Sequence, residues 1–149
     1  MTPFAVAGMQ MRVSATESNV VAMRQRLDTL MAIYPWVQMA VFSELAACGP
    51  LPHTAQPLPG PAEEAFCEMA AKHHLWLVSG SMYELVGARV YNTASVINPD
   101  GEVVGRYRKM FPFEPYERGS PPATSSWCSR FLRSGGSASP SATTPGSPR

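Results

Sequence analysis

Trp36-Val37-Gln38-Met39-Ala40-Val41-Phe42 is an almost unbroken apolar run that stops abruptly at Ser43-Glu44-Leu45. It has the length of a strand, and its lack of strict alternation suits one covered on both faces. Upstream, Phe4 to Met11 reads as a second short apolar strand. Between the two, Ser18 or Asn19 can cap a helix whose apolar stripe runs through Val20, Met23, Leu27, Leu30 or Met31, and Tyr34. Pro35 ends it by removing a donor and restricting the residue before it.

Downstream, a Pro-rich loop from Leu51 to Pro61 leads into a helix over Ala62 to His74. Phe66, Met69 and Ala70 form its inner side, while Glu63, Glu64, Glu68 and Lys72 are expected to face water. Leu75-Trp76-Leu77-Val78 reads as a third strand. Val90–Ile97 and Glu102–Lys109 form a hairpin around Asn98-Pro99-Asp100-Gly101, a type I turn with Pro second and Gly last. Strand, helix, strand, helix, strand, hairpin predicts a layered α/β domain.

Composition divides the chain. Of 149 residues, 12 are Lys or Arg and 11 Asp or Glu. The near-neutral balance argues against a nucleic-acid binder or a polybasic membrane module. Three cysteines without a CxxC argue against a disulfide scaffold or zinc ribbon. There is no apolar run of membrane-spanning length and no positively charged leader, so a cytoplasmic protein is expected. Every acidic residue lies at or before Glu117. Residues 1–118 read as globular, and residues 119–149, with nine Ser, five Pro and four Gly, as low complexity.

Glu44 sits just beyond the carboxyl end of the apolar strand, where open α/β sheets gather functional groups. Partial desolvation there would raise its pKa and make it a usable base; the plain alternative is a solvated strand-end glutamate. Lys109 alternates onto the face of Tyr107 and Val103, opposite Arg106 and Arg108, and is expected on the covered face. Glu117 follows eight residues later. Two carboxylates and an ammonium suit acid–base work and oxyanion stabilisation, but they lack a nucleophile. His53 and His73-His74 lie at no ligand spacing, so no metal is expected. Cys67 reads as a small core residue, and Cys48 has nothing nearby to lower its pKa.

Taken together, these pieces resemble the N-terminal part of the carbon–nitrogen hydrolase (nitrilase) superfamily. The resemblance rests on Ala5–Gln10, Phe42-Ser43-Glu44-Leu45, Tyr91-Asn92-Thr93-Ala94, Asn98-Pro99-Asp100-Gly101, and Tyr107-Arg108-Lys109 with Phe113–Gly119, and ends near residue 119. It implies the N-terminal portion of a four-layer α-β-β-α sandwich, in a family whose intact members form homo-oligomers. It implies cofactor-free hydrolysis of a small-molecule amide or nitrile by a Glu base, a Lys and a Cys nucleophile. By motif, Glu44 carries over as base, Lys109 as oxyanion stabiliser and Glu117 as the second carboxylate, which helps to position substrate.

The family's cysteine motif should follow near residues 139–149, which instead read Ser-Pro-Ser-Ala-Thr-Thr-Pro-Gly-Ser-Pro-Arg. A shift of reading frame accounts for this. Taking the last base of each codon with the first two of the next, Pro140 to Arg149 can be reread as I-C-Y-D-T-W-F-P-E, similar to the family's nucleophile motif. Thr124 to Ser139 can be reread as a strand-forming segment. Trp127 has a single codon, so its junction with Cys128 must give Val, which fits that segment. On this reading the chain is truncated before its nucleophile, lacks turnover and folds poorly, with sheet edges and apolar faces unpaired. The alternatives are a non-catalytic binding or regulatory fragment of the same fold, a natural disordered Ser/Pro tail, and Cys48 as a substitute nucleophile.

Overall fold

The computed structural model describes residues 3–113. Strand β1 spans Val6–Met9, helix α1 Val20–Ile33, β2 Met39–Phe42, helix α2 Pro61–His73, β3 Trp76–Val86, β4 Arg89–Ile97 and β5 Val103–Arg108, with a short 3-10 turn at Pro52–Thr54. The sheet order is β1-β2-β3-β4-β5. β1, β2 and β3 run parallel, and β3, β4 and β5 pair antiparallel. Two successive crossovers step across the sheet in the same direction, so their shared handedness puts both helices on one face. There Met23, Leu27, Phe66 and Met69 bury against Ala40, Phe42, Leu77 and Ile97. Ion pairs Arg24–Glu68 and Lys72–Asp28 link the helices on the outside.

The expected order of elements is present, and the differences have local causes. Asn19 occupies the N-cap position of α1, but its side chain does not cap the helix. Its amide accepts from Ser14 N–H and donates to the Ser14 and Glu17 carbonyls, closing the preceding loop instead. Pro61 opens α2, and Glu63, Glu64 and then Lys72, His73 lie at the ends that suit the helix dipole. β2 begins three residues later than the apolar run, because Pro35 and Trp36 lie in a turn closed by Val37 N–H donating to the Tyr34 carbonyl at 3.1 Å.

The third strand runs on to Val86, well past Val78. An irregularity between Val78 and Ser81 breaks its alternation. A buried Glu84 then hides the rest from a hydropathy reading. Gly87 and Ala88 close the β3–β4 hairpin, and the positive φ of Gly87 suits a type II′ turn.

A second irregularity in β5 corrects the expected faces. Ile97 pairs with Val103 but Val96 pairs with Gly105, so Val103 turns toward the helices and packs on the core. Gly105, Tyr107 and Lys109 follow the opposite face, away from the helices. The helix-covered face carries Arg106 and Arg108, and not Lys109 as expected. Those arginines meet carboxylates that the sequence hides. Glu63 of α2, expected in water, is 2% exposed and accepts from Arg106 Nε at 2.8 Å and from the Ser95 hydroxyl at 2.6 Å. Glu84 accepts from Arg108 at 2.7 Å through both Nε and Nη2, and from Thr93 Oγ1 at 2.6 Å. Arg108 also stacks 4.4 Å from the Tyr91 ring centroid.

Candidate active site

The carboxyl end of β2 delivers Glu44, and two contacts with β3 fix the turn that carries it. Gly80, in the β3 irregularity at φ +71°, lies so close under Ser43 that any Cβ would collide with the Ser43 carbonyl. Leu45 adopts φ +54°, a left-handed conformation unfavourable for a branched residue. Ser81 Oγ holds it there by accepting from Leu45 N–H at 3.0 Å. Backbone strain at a turn of this kind is a mark of functional segments.

Lys109 arrives from the opposite edge of the sheet, one residue past β5, which runs in the same direction as β2. Its N–H donates to the Asn92 carbonyl at 2.8 Å, continuing the β4–β5 ladder. Its Nζ lies 2.8 Å from Glu44 Oε1, joining residues 65 apart in sequence. Asn92, on buried β4, donates its Nδ2 to the same oxygen at 2.8 Å. Tyr83, paired with Asn92 across β3 and β4, forms the floor beside them. A cavity of about 840 Å³ opens over this group, walled by Leu45, Pro50, Leu51, Pro52, Phe111, Pro112 and Phe113. That volume is in the range of small-molecule sites.

Glu44 and Lys109 therefore meet. The desolvation expected of Glu44 is not found: its side chain is 56% exposed, because the turn leads out of the sheet to the cavity mouth. Glu117 lies outside the described residues, as do residues 119–149. Cys48 is buried and takes a hydrogen bond from Gln56 Nε2 at 3.4 Å. Burial pushes its thiol pKa up, and it does not line the cavity, so it is poorly placed as a nucleophile. Cys67, packed on the core, is pushed up likewise by burial.

His53 sits on the Pro52–Thr54 turn, and His73 Nε2 lies 2.7 Å from Asp28 on the helix side. Among the described residues, no three His, Cys, Asp or Glu side chains gather as a metal site, and no helix is long and apolar enough to cross a membrane.

Asn92 is the site residue that residue-by-residue reading passes over. Its signal is a run of adjacent polar residues inside a strand: Asn92 and Thr93 point to opposite faces and both are buried. A strand polar on both buried faces has partners waiting on each, here Glu44 and Glu84.

Comparison with known proteins bears on the family and the fold of the chain. The sequence model of the carbon–nitrogen hydrolase family matches residues 4–147. Human omega-amidase NIT2 is 33% identical over 63 residues, covering 42% of this chain and 23% of that protein. Formamidase of Helicobacter acinonychis (strain Sheeba) is 32% identical over 111 residues, covering 68% of this chain and 33% of its own. The crystal structure of a carbon–nitrogen hydrolase from Helicobacter pylori G27 superposes with a TM-score of 0.69 at 21% identity, over 80% of this chain and 44% of that one. The chain thus spans a third or less of these two curated relatives.

Proposed function

This chain belongs to the carbon–nitrogen hydrolase family, and from that premise we propose that residues 1–118 carry the base and the oxyanion-stabilising group of an enzyme that hydrolyses non-peptide amides, with nitriles as the second substrate class. The observation that carries the proposal is the meeting of Glu44 and Lys109 at 2.8 Å beside a cavity of about 840 Å³. Glu44 is the general base. It takes the proton of a cysteine thiol, and the thiolate attacks the amide carbon. Lys109 stabilises the oxygen as negative charge develops on it, an interaction worth about 2.7–4 kcal/mol in comparable sites. The protonated Glu44 returns the proton to the leaving nitrogen as the C–N bond breaks and a thioester remains. Glu44 then deprotonates water, which attacks the thioester; the acid leaves and the thiol is restored. Glu117 acts as the second carboxylate, positioning the substrate.

We propose further that the thiol belongs to the same gene one reading frame away and that residues 119–149 are the out-of-frame continuation, although the family match runs to residue 147 in the present frame. The chain as it stands accordingly does not turn over. Coding DNA read past codon 118 supplies the first test, and restoring one base supplies the second. The restored protein is expected to release ammonia from a panel of simple amides. Glu44→Gln is expected to reduce that rate by roughly 100-fold or more. An undisturbed reading frame, or a rate indifferent to Glu44→Gln, overturns the assignment. A stable 149-residue product that binds amides without turnover from any frame would favour the non-catalytic alternative.

A further inference from the structure

Asn92 belongs to the Tyr91-Asn92-Thr93-Ala94 stretch of the resemblance without an assigned role, yet it touches both members of the pair. Its side-chain Nδ2 donates to Glu44 Oε1 at 2.8 Å, and its backbone carbonyl accepts from Lys109 N–H at 2.8 Å. Lys109 Nζ donates to that same Oε1 at 2.8 Å. One oxygen of the carboxylate thus receives two donors, while Oε2 accepts no hydrogen bond among the described residues.

The two oxygens of a glutamate are chemically alike, and the last side-chain torsion is broad and roughly two-fold. In an exposed turn residue such as Glu44 they would exchange freely. A lysine alone would not prevent this, since an exposed ion pair on a long flexible stem opens and closes readily. Asn92 can, because it is buried on β4, an interior strand, and its backbone is held in the ladder with Tyr83 of β3. An amide also donates without adding charge, so it holds the carboxylate without competing with Lys109 for it.

We infer that Asn92 is a positioning residue that clamps Glu44 through Oε1, so that Lys109 and Glu44 keep one geometry and Oε2 is the oxygen that accepts the proton. As an account of catalysis this rests on the hydrolase reading; as a statement about coupling it needs no turnover.

The test uses the full 149-residue chain, isotopically labelled, with Asn92→Leu, an apolar replacement of similar size, and Asn92→Ala in case the larger residue does not fold. Nuclear magnetic resonance follows two exchange rates at Lys109. The backbone amide reports the β4–β5 ladder, which the Asn92 carbonyl keeps in either variant. The side-chain ammonium reports the pair with Glu44. The ammonium of Lys72, paired with Asp28 on the helices, is an internal reference.

The expected result is Lys109 ammonium exchange roughly tenfold faster in the variants, the population change that loss of one charge-assisted hydrogen bond supports. The Lys109 amide and the Lys72 ammonium should not change. Three results would overturn the inference: ammonium exchange unchanged in the variants, amide and ammonium protection lost together in both variants, or no ordered Lys109 ammonium in the parent chain. If the coupling is found but the frame-restored protein hydrolyses nothing, the hydrolase reading fails and the clamp stands.

Discussion

Glu84 and Arg108 illustrate how much a single residue can carry when it is buried in company. Burial alone pushes the Glu84 carboxyl pKa up, but the Arg108 guanidinium and the Thr93 hydroxyl more than reverse this and hold it below its ordinary value. Glu63 behaves alike: burial raises it, and Arg106 with Ser95 brings it below the usual carboxylate range. Groups with lowered native values contribute stability that is complete above the unfolded carboxylate pKa, about 4.5. That contribution is lost as pH falls through the lower native values, since the unfolded chain binds protons first. Thermal unfolding followed from neutral pH into acid should therefore show a plateau and then a decline below the ordinary carboxylate range. Glu84→Gln should lower neutral-pH stability and flatten that decline. Removing one member of a fully buried pair costs about 3–5 kcal/mol. Arg108 is 40% exposed and keeps part of its hydration, so roughly 2–3 kcal/mol is expected here. An unchanged midpoint and an unchanged acid slope would show that the clasp adds nothing.

At the scale of elements, the β3 irregularity shapes the site more than any strand end. It places Gly80 beneath Ser43 and Ser81 against Leu45, so the turn bearing Glu44 is moulded on β3. A methyl group at residue 80 meets both an unfavourable φ and the Ser43 backbone. Gly80→Ala should cost at least about 2 kcal/mol in denaturant unfolding, from left-handed strain and overpacking together. Gly87 is the internal comparison. Its φ is +60°, but a Cβ there meets nothing within 4 Å, so Gly87→Ala should cost only about 1 kcal/mol. Equal costs at the two positions would mean that the turn is not supported from below. The β5 irregularity acts in the same way on Lys109: it lets Arg106 and Arg108 pair beneath the sheet while Lys109 emerges above it.

Across the whole molecule, helices cover one face of the sheet and the site lies toward the other. Val6 and Tyr107 are exposed on that open face, and Phe111 and Phe113 at the cavity mouth. Trp36, Val21 and Ile33 are exposed at and around α1. Apolar surface of this extent, with β1 and β5 at the edges of the sheet that the described residues form, favours association. Sedimentation velocity over a range of concentrations should show species heavier than the 16.2 kDa chain, shifting with loading. A single monomer at every concentration would show that the exposed faces are not adhesive.

The sequence by itself determined the kinds of element, their order and the two residues, Glu44 and Lys109, that the proposed site brings together. Apolar runs, helical stripes and turn residues are local signals, so Glu44 and Lys109 could be read from the segments that bear them. It did not reveal Glu63 and Glu84 as buried partners, the faces of Val103 and Lys109, or Asn92 between base and lysine. A carboxylate looks solvent-exposed in a sequence because its partner is a residue 24 or 43 positions away, and no period in the chain encodes that distance. One extra residue in a strand reverses every face beyond it, and only the paired sheet reveals where that residue is inserted. Burial, pairing and facing are properties of neighbours in space, and tertiary structure alone decides who those neighbours are.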